Sequence, residues 1–349
     1  MKVLYVCKTD PDAMGGVSEV TRQWGRHVAP RLAENFASVI APQLTDAAVL
    51  TVIRNYRPSL VHLWAGQFPL ATFYARSKGI PVVLDRSSTS ARWQSNILRE
   101  EAERLRRLGI IDMGDPGLPE NDLIVHEAEY ERSTVVTPTE FSKGTFDSGL
   151  APDVRVVPTG ADIEQFTPRA PPGEPFRVLF SGHNWFRKGL VYLWMAAKHL
   201  ERRGYKDIRY EFNTGRPECP PFRLPALEST YSFTNRPTGL VPALECAHVM
   251  VLPTLEDSLP LSLDDAMAAG VPCITTPNAG SRVVDGTSGY IVPIRDPEAL
   301  ADKIAYLHDH RDEGTRLGLA GRRAVEQWGW KTYADALLKV YAEVVSNQR

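Results

Sequence analysis

The stretch TPRAPPGEPFRVLFSG, Thr167–Gly182, decides how the chain is divided. Up to Pro175 it packs several prolines and a glycine into nine positions, and can continue neither a helix nor a central strand. From Phe176 it becomes an apolar run of strand length. The segment therefore reads as a linker followed by a fresh start of regular structure. Upstream, short apolar runs at Lys2–Val6, Phe36–Ile40, Leu60–Leu63 and Val82–Leu84 alternate with helical patterns from Ser18, at Ala47–Arg54 and at Leu70–Ser77. The runs are apolar at successive rather than alternate positions, as parallel strands covered on both faces require. Such alternation predicts doubly wound α/β sheets, one on each side of the linker.

Further strands are expected at Thr134–Thr137 and Val154–Val157, with a helix at Glu140–Phe146 between them. The run REEAERLRR within Arg92–Arg107 carries opposite charges at helical spacing and reads as a solvated helix face, followed by a Gly- and Pro-rich loop. Trp330–Val345 places Tyr333, Leu337, Leu338, Val340, Tyr341 and Val344 on one helical face with no strand after it, so it must dock on something already folded.

The 349 residues allow two domains at roughly 100–200 residues each. Apolar residues make up 43% and charged residues 23%, values of a globular protein rather than a disordered or fibrous one. With 40 basic and 42 acidic side chains, the net charge of -2 supplies no field to hold a nucleic-acid backbone. No stretch reads as a signal peptide or membrane span, and no basic amphipathic helix near the amino terminus favours a membrane surface. Cys7, Cys219, Cys246 and Cys273 lack paired spacing, which argues against a disulfide framework or zinc site and for a reducing cytoplasm; three of them read as buried small hydrophobes.

Three motifs carry chemistry. Gly15-Gly16-Val17 lies between the first strand and its helix, where glycine permits close approach of a phosphate to unpaired N–H groups; a plain structural turn has the same composition. FSGHNWFRKGL, Phe180–Leu190, sets His183, Arg187 and Lys188 at the carboxyl end of a strand, before a helix. Two adjacent cations there could neutralise a diphosphate, or simply be solvated. In Leu252–Pro293, a strand end is followed by Glu256-Asp257, a helix over Leu261–Ala269 with Asp264 and Asp265, and a strand at Val271–Thr275. Asp257 and Asp265 are two acceptors suited to sugar hydroxyls.

Taken in order, these pieces resemble the retaining glycosyltransferases of the GT-B fold, family 4 (glycosyl transferases group 1). The resemblance rests on Gly15-Gly16-Val17, VHLW at Val61–Trp64, VVPTGADIEQFTP at Val156–Pro168, RKG at Arg187–Gly189 and LEDSLPLSLDDAMAAGVPCITTPNAG from Leu255. DGTSGYIVP from Asp285 and the terminal WGWKTYADALLKVY complete it.

The resemblance implies two Rossmann-like domains facing across a cleft. Residues 1–168 would form the acceptor-side domain, 169–175 the linker, 176–328 the nucleotide-sugar-binding domain, and 329–349 a helix crossing back to the first. It implies that Lys188, with Arg187, neutralises the donor diphosphate, and that Asp257 and Asp265 match the acidic ends of the family's Glu-x7-Glu motif, facing sugar and ribose hydroxyls. Gly15, Gly16, His183, Ser258 and Leu259 would complete the donor site, and Arg86 and Ser87 the acceptor side, together with His62, which reads as ending its strand and suits core packing as well as an acceptor contact. The sequence departs from the family pattern in having Asp at both acidic positions, with Glu256 as a neighbour that could substitute for Asp257. His183 stands where an arginine is usual, Pro260 replaces a glycine, and LDRSSTSARW lacks the histidine usual after the fourth strand.

The expected activity is transfer of a hexosyl unit from a nucleoside diphosphate sugar, UDP-sugar favoured, to a hydroxyl of a small-molecule or glycan acceptor, without a metal or other cofactor. Closure over the hinge would exclude water. A catalytically idle nucleotide-sugar-binding subunit and a GT-B nucleotide-sugar epimerase are the alternatives. A glycoside hydrolase using Asp257 and Asp265 would leave the Arg-Lys turn without a role. His308 and His310 close a helix and read as its solvated end, and Trp93, Trp185 and Tyr290 as core aromatics.

Overall fold

A computed structural model describes residues 1–10, 16–168, 173–214, 222–234 and 240–347. The chain forms two compact units, one of 1–95, 118–160 and 330–349, the other of 96–117 and 161–329.

The first unit holds strands β1 (Val3–Cys7), β2 (Phe36–Ile40), β3 (Leu60–Trp64), β4 (Val82–Asp85), β5 (Thr134–Thr137) and β6 (Val154–Val156). They pair in parallel in the order β2-β1-β3-β4-β5-β6. Helices α1 (Gly16–His27), α2 (Asp46–Tyr56) and α3 (Pro69–Ser77) alternate with the first strands. Helix α4 (Ala91–Arg107) begins in this unit and runs into the second, while α5 (Glu120–Tyr130) and α6 (Glu140–Lys143) return to the first. Strands β1 and β3 are buried throughout, as successive apolar residues require in a sheet covered on both faces.

The second unit repeats the plan. Its strands are β7 (Arg177–Ser181), β8 (Arg209–Asn213), β9 (Tyr231–Thr234), β10 (Val249–Leu252), β11 (Cys273–Thr275) and β12 (Gly289–Ile291). They form a parallel sheet in the order β12-β11-β10-β7-β8-β9, in which two strands, β8 and β9, lie beyond the unit's first strand where the first unit has only β2. Its helices are α7 (Leu190–Arg202), α8 (Val241–Leu244), α9 (Leu261–Ala268), α10 (Pro297–Asp309) and α11 (Arg311–Val325).

Helix α12 (Trp330–Ser346) then completes the first unit, on the face its apolar stripe predicts. Tyr333, Leu337, Tyr341 and Val344 join a core with Val3, Tyr5, Trp24 and Leu60. Two indole N–H groups inside this core are paired: Trp24 Nε1 donates to Tyr341 Oη at 3.0 Å, and Trp64 Nε1 to Tyr5 Oη at 2.9 Å.

The units are divided differently from the linear expectation. Residues 96–117 pack with the second sheet because Leu98, Ala102, Leu105, Ile110 and Ile111 belong to its core. Their charged run is not simply solvated: Glu101 is fully buried, in contact with Tyr192 Oη and with Arg295 Nε at 2.5 Å. Residues 161–168 join the second unit as well. There the Arg322 guanidinium binds the carbonyls of Phe166 and Ala268 at 2.7 and 2.6 Å. The expected linker lies partly outside the described residues, at positions 169–172. Cys7 and Cys273 are buried free thiols, but Cys246 is exposed, and Cys219 lies outside the described residues. No helix among the described residues is long and apolar enough to cross a membrane.

Candidate functional site

Open parallel sheets bind ligands beyond the carboxyl ends of their strands, where the strand order reverses. In the second unit that reversal lies between β7 and β10. Asn184 shapes the turn after β7: its carbonyl accepts from Lys188 N–H at 2.9 Å and its side-chain oxygen from Arg187 N–H at 3.1 Å. Gly189 closes the turn with φ +73°, and a Cβ there would lie 2.0 Å from the Pro253 carbonyl oxygen. Only glycine lets the two strand-end turns meet. The Arg187 carbonyl then accepts from Leu255 N–H at 2.9 Å and from Thr254 Oγ1 at 3.0 Å, which docks the turn after β10 on the turn after β7.

This docking assembles four charges. Lys188 Nζ contacts Asp257 Oδ2 directly. Arg187 Nη1 donates to Glu256 Oε2 at 2.9 Å, and its Nη2 lies 3.6 Å from Asp257 Oδ1. Glu256 is fully buried, and Lys188 is only 9% exposed. Burial, and then the Arg187 charge, push the Lys188 amine well below its usual value, while Glu256 opposes the shift. Two buried cations would repel if alone; the two carboxylates balance them. Asp257 is fixed from both sides, its Oδ1 accepting from Ser258 N–H and its own N–H donating to the Asn278 carbonyl, each at 2.9 Å. Such a cluster offers a desolvated cation to an incoming diphosphate and a rigid acceptor to a sugar hydroxyl.

Of the other residues expected here, Ser258 and Leu259 are buried in the turn after β10, and Asp265 is half-buried on α9. His183 is exposed in the turn after β7. Glu256, noted as a substitute for Asp257, instead spends its carboxylate on Arg187. The neighbour of Asp265, Asp264, is buried against Arg282, whose guanidinium lies 5.0 Å over the Trp328 ring. Burial pushes the Asp264 carboxyl up even beside that arginine. Arg282→Ala leaves this carboxylate buried and unpaired, and urea denaturation should show a loss of about 3–5 kcal/mol. No signal in the sequence joined these two residues.

In the first unit, Gly15 lies outside the described residues, and Gly16 starts α1. His62 needs correction as an acceptor contact: it sits at the centre of β3, not at its end, and is fully buried. Its Nδ1 lies 2.5 Å from Tyr341 Oη, which also accepts from Trp24. Burial lowers the His62 imidazole to about 3, so the ring is neutral and acts in packing. Arg86 donates to the Thr89 carbonyl at 2.9 Å and to Gln94 Oε1 at 3.0 Å, and Ser87 Oγ to Asp85 Oδ1 at 2.8 Å. Both residues are half-buried in the turn after β4, at the strand-end edge where they were expected. Burial raises the Asp85 carboxyl to about 7, with the Ser87 bond opposing.

Among solved structures, sucrose-phosphate synthase from Thermosynechococcus elongatus matches with a TM-score of 0.77 at 16% identity, covering 99% of each chain. The Anabaena HepE protein in complex with UDP-glucose matches at 0.68 with 11% identity, over 98% of this chain and 100% of that one. The fold is therefore GT-B, an α/β architecture of two Rossmann-like doubly wound domains.

Within it, residues 175–310 match the family described as Glycosyl transferases group 1. The D-inositol 3-phosphate glycosyltransferase of Xylanimonas cellulosilytica is 27% identical over 220 residues, 56% of this chain and 52% of the relative. That of Corynebacterium jeikeium is 30% identical over 217 residues, 55% and 52% respectively. The chain thus spans about half the length of these curated relatives.

Proposed function

We propose that the protein is a retaining glycosyltransferase that moves a hexosyl unit from a nucleoside diphosphate sugar, a UDP-sugar by preference, to an acceptor hydroxyl. The observation that carries this reading is the buried Lys188–Asp257 contact at the strand-order reversal of the second unit, inside the segment matched by the glycosyltransferase family. Its environment suits the charge problem of the reaction. As the anomeric C–O bond to the diphosphate breaks, the sugar gains positive character and the leaving oxygen gains negative charge. Lys188, oriented by Asp257, stabilises the diphosphate together with Arg187 and without reorganisation at the moment of reaction. Asp257 holds a sugar hydroxyl and Asp265 the ribose.

The acceptor oxygen forms its bond to the anomeric carbon on the face the diphosphate leaves, and its proton passes to a diphosphate oxygen. With two cations at that position, the step is metal-independent. The acceptor is a small molecule or a glycan, and the work is done in the cytoplasm.

The reading is tested by following UDP release from a panel of UDP-sugars, with and without cell extract as the acceptor source, and the anomeric configuration of the product by proton NMR. Extract-dependent release with the donor's configuration kept supports it. Inversion would overturn the retaining chemistry, and no release with any donor would leave a nucleotide-sugar-binding subunit. Asp265→Ala should weaken UDP binding about 10- to 100-fold by calorimetry, the loss of one charge-assisted hydrogen bond.

A further inference from the structure

The sheet of the first unit has its own reversal of strand order, between β1 and β3, and there the two strand ends are tied together. Lys8 N–H donates to Gln67 Oε1 at 2.7 Å. Gln67 belongs to the turn 65–68 between β3 and α3, and that turn hangs on Glu129 of α5, a fully buried carboxyl group. Glu129 Oε2 accepts from Gly66 N–H at 2.8 Å, and Oε1 lies 3.0 Å from Thr72 Oγ1. Gly66 has φ +78°, and a Cβ there would lie 2.1 Å from the His126 ring, so glycine is required where the turn meets α5.

The Phe68 carbonyl already accepts from Thr72 N–H at 3.0 Å, and the count of hydrogens around the Thr72 hydroxyl favours a protonated carboxyl. Thr72 Oγ1 also lies 3.1 Å from the Phe68 carbonyl oxygen. A hydroxyl has one hydrogen and a carbonyl none, so Thr72 can donate to only one of these two neighbours. With Glu129 ionised, one contact in the core lacks a hydrogen. With a proton on Oε1, every contact is served: Gly66 N–H to Oε2, Oε1–H to Thr72 Oγ1, and Thr72 O–H to the Phe68 carbonyl.

The surroundings favour the same state. Burial pushes the Glu129 carboxyl up to about 7; Asp46 at the start of α2 adds to this, while the Gly66 bond and Arg86 oppose it. His126, with Nδ1 3.9 Å from Oε2, is lowered to about 4 by its own burial and is neutral. Arg76 of α3 is the other cation whose charge Glu129 meets.

We propose that Glu129 is a positioning residue that works as a neutral carboxylic acid, holding the turn 65–68 and, through Gln67, the end of β1, and that its ionisation releases this turn. The geometry involved lies wholly in the first unit. Only the consequence for sugar transfer rests on the function proposed above.

Hydrogen exchange read by mass spectrometry, corrected for the intrinsic rate at each pH, tests this on the full chain. Peptides covering 64–72 should lose protection about tenfold between about pH 6 and pH 8.5, while those of the second sheet hold theirs. In Glu129→Gln the amide N–H replaces the acid O–H toward Thr72, and protection should become independent of pH. Thr72→Val removes the acceptor of the acid proton, so the midpoint should move to lower pH. Flat protection in the wild type, an unchanged profile in Glu129→Gln, or a midpoint that rises in Thr72→Val overturns the proposal. Failure of sugar transfer under every condition would overturn the proposed function and leave the exchange result standing.

Discussion

Lys188→Ala should lower UDP release from UDP-glucose, with cell extract supplying acceptor, by on the order of 10²–10³, the scale of losing one preorganised donor from a charge-stabilising site. The loss should fall on kcat, because the diphosphate charge that Lys188 meets grows as the glycosidic bond breaks. Folding should suffer less than removal of a buried cation usually implies. Arg187 Nη2 remains 3.6 Å from Asp257 Oδ1 and can take over part of its compensation. A double-mutant cycle of Lys188→Ala with Asp257→Ala should show stability losses that fall short of additivity by about 0.5–3 kcal/mol. Turnover unchanged in Lys188→Ala would remove the residue from the mechanism.

The largest effect on folding is expected from ending the chain after Gly329. Helix α12 buries Trp330, Tyr333, Leu337, Val340, Tyr341 and Val344. At about 1.5–3 kcal/mol for each large apolar side chain, their burial is comparable to the whole stability of an ordinary domain, about 5–15 kcal/mol. The cut also strips His62 and Trp24 of their Tyr341 partner inside the core. The shortened chain should retain cooperative melting and protease resistance in 161–329 but lose both in 1–95 and 118–160. A truncated chain whose first unit melts as the intact protein does would refute this account of α12.

Much of the fold was legible because the strands announce themselves. Val3–Cys7 and Val249–Leu252 are unbroken apolar runs, Leu60–Trp64 is interrupted only by His62, and each is a fully buried strand. Helix α5 was not seen: Leu123, Ile124 and Val125 are consecutive, so no stripe at helical spacing stands out, and the helix is held by Leu123, Glu129 and Tyr130 instead. The charged run at Arg99–Arg107 hid a buried face, because opposite charges at helical spacing suit a solvated surface as well as the Glu101–Arg295 contact. At the candidate site, Arg187, Lys188 and Asp257 were found by residue type and come together. Partnerships across long sequence separations were not readable. Glu256 with Arg187, Asp264 with Arg282 and His62 with Tyr341 each depend on which face of an element a side chain takes.

Because α12 is encoded after every residue of the second unit, the amino-terminal half of the protein leaves the ribosome before the helix that finishes it exists. The later-made half can reach its native form first. For that interval the nascent chain carries an uncovered apolar sheet face, the kind of surface that chaperones hold and that aggregation exploits.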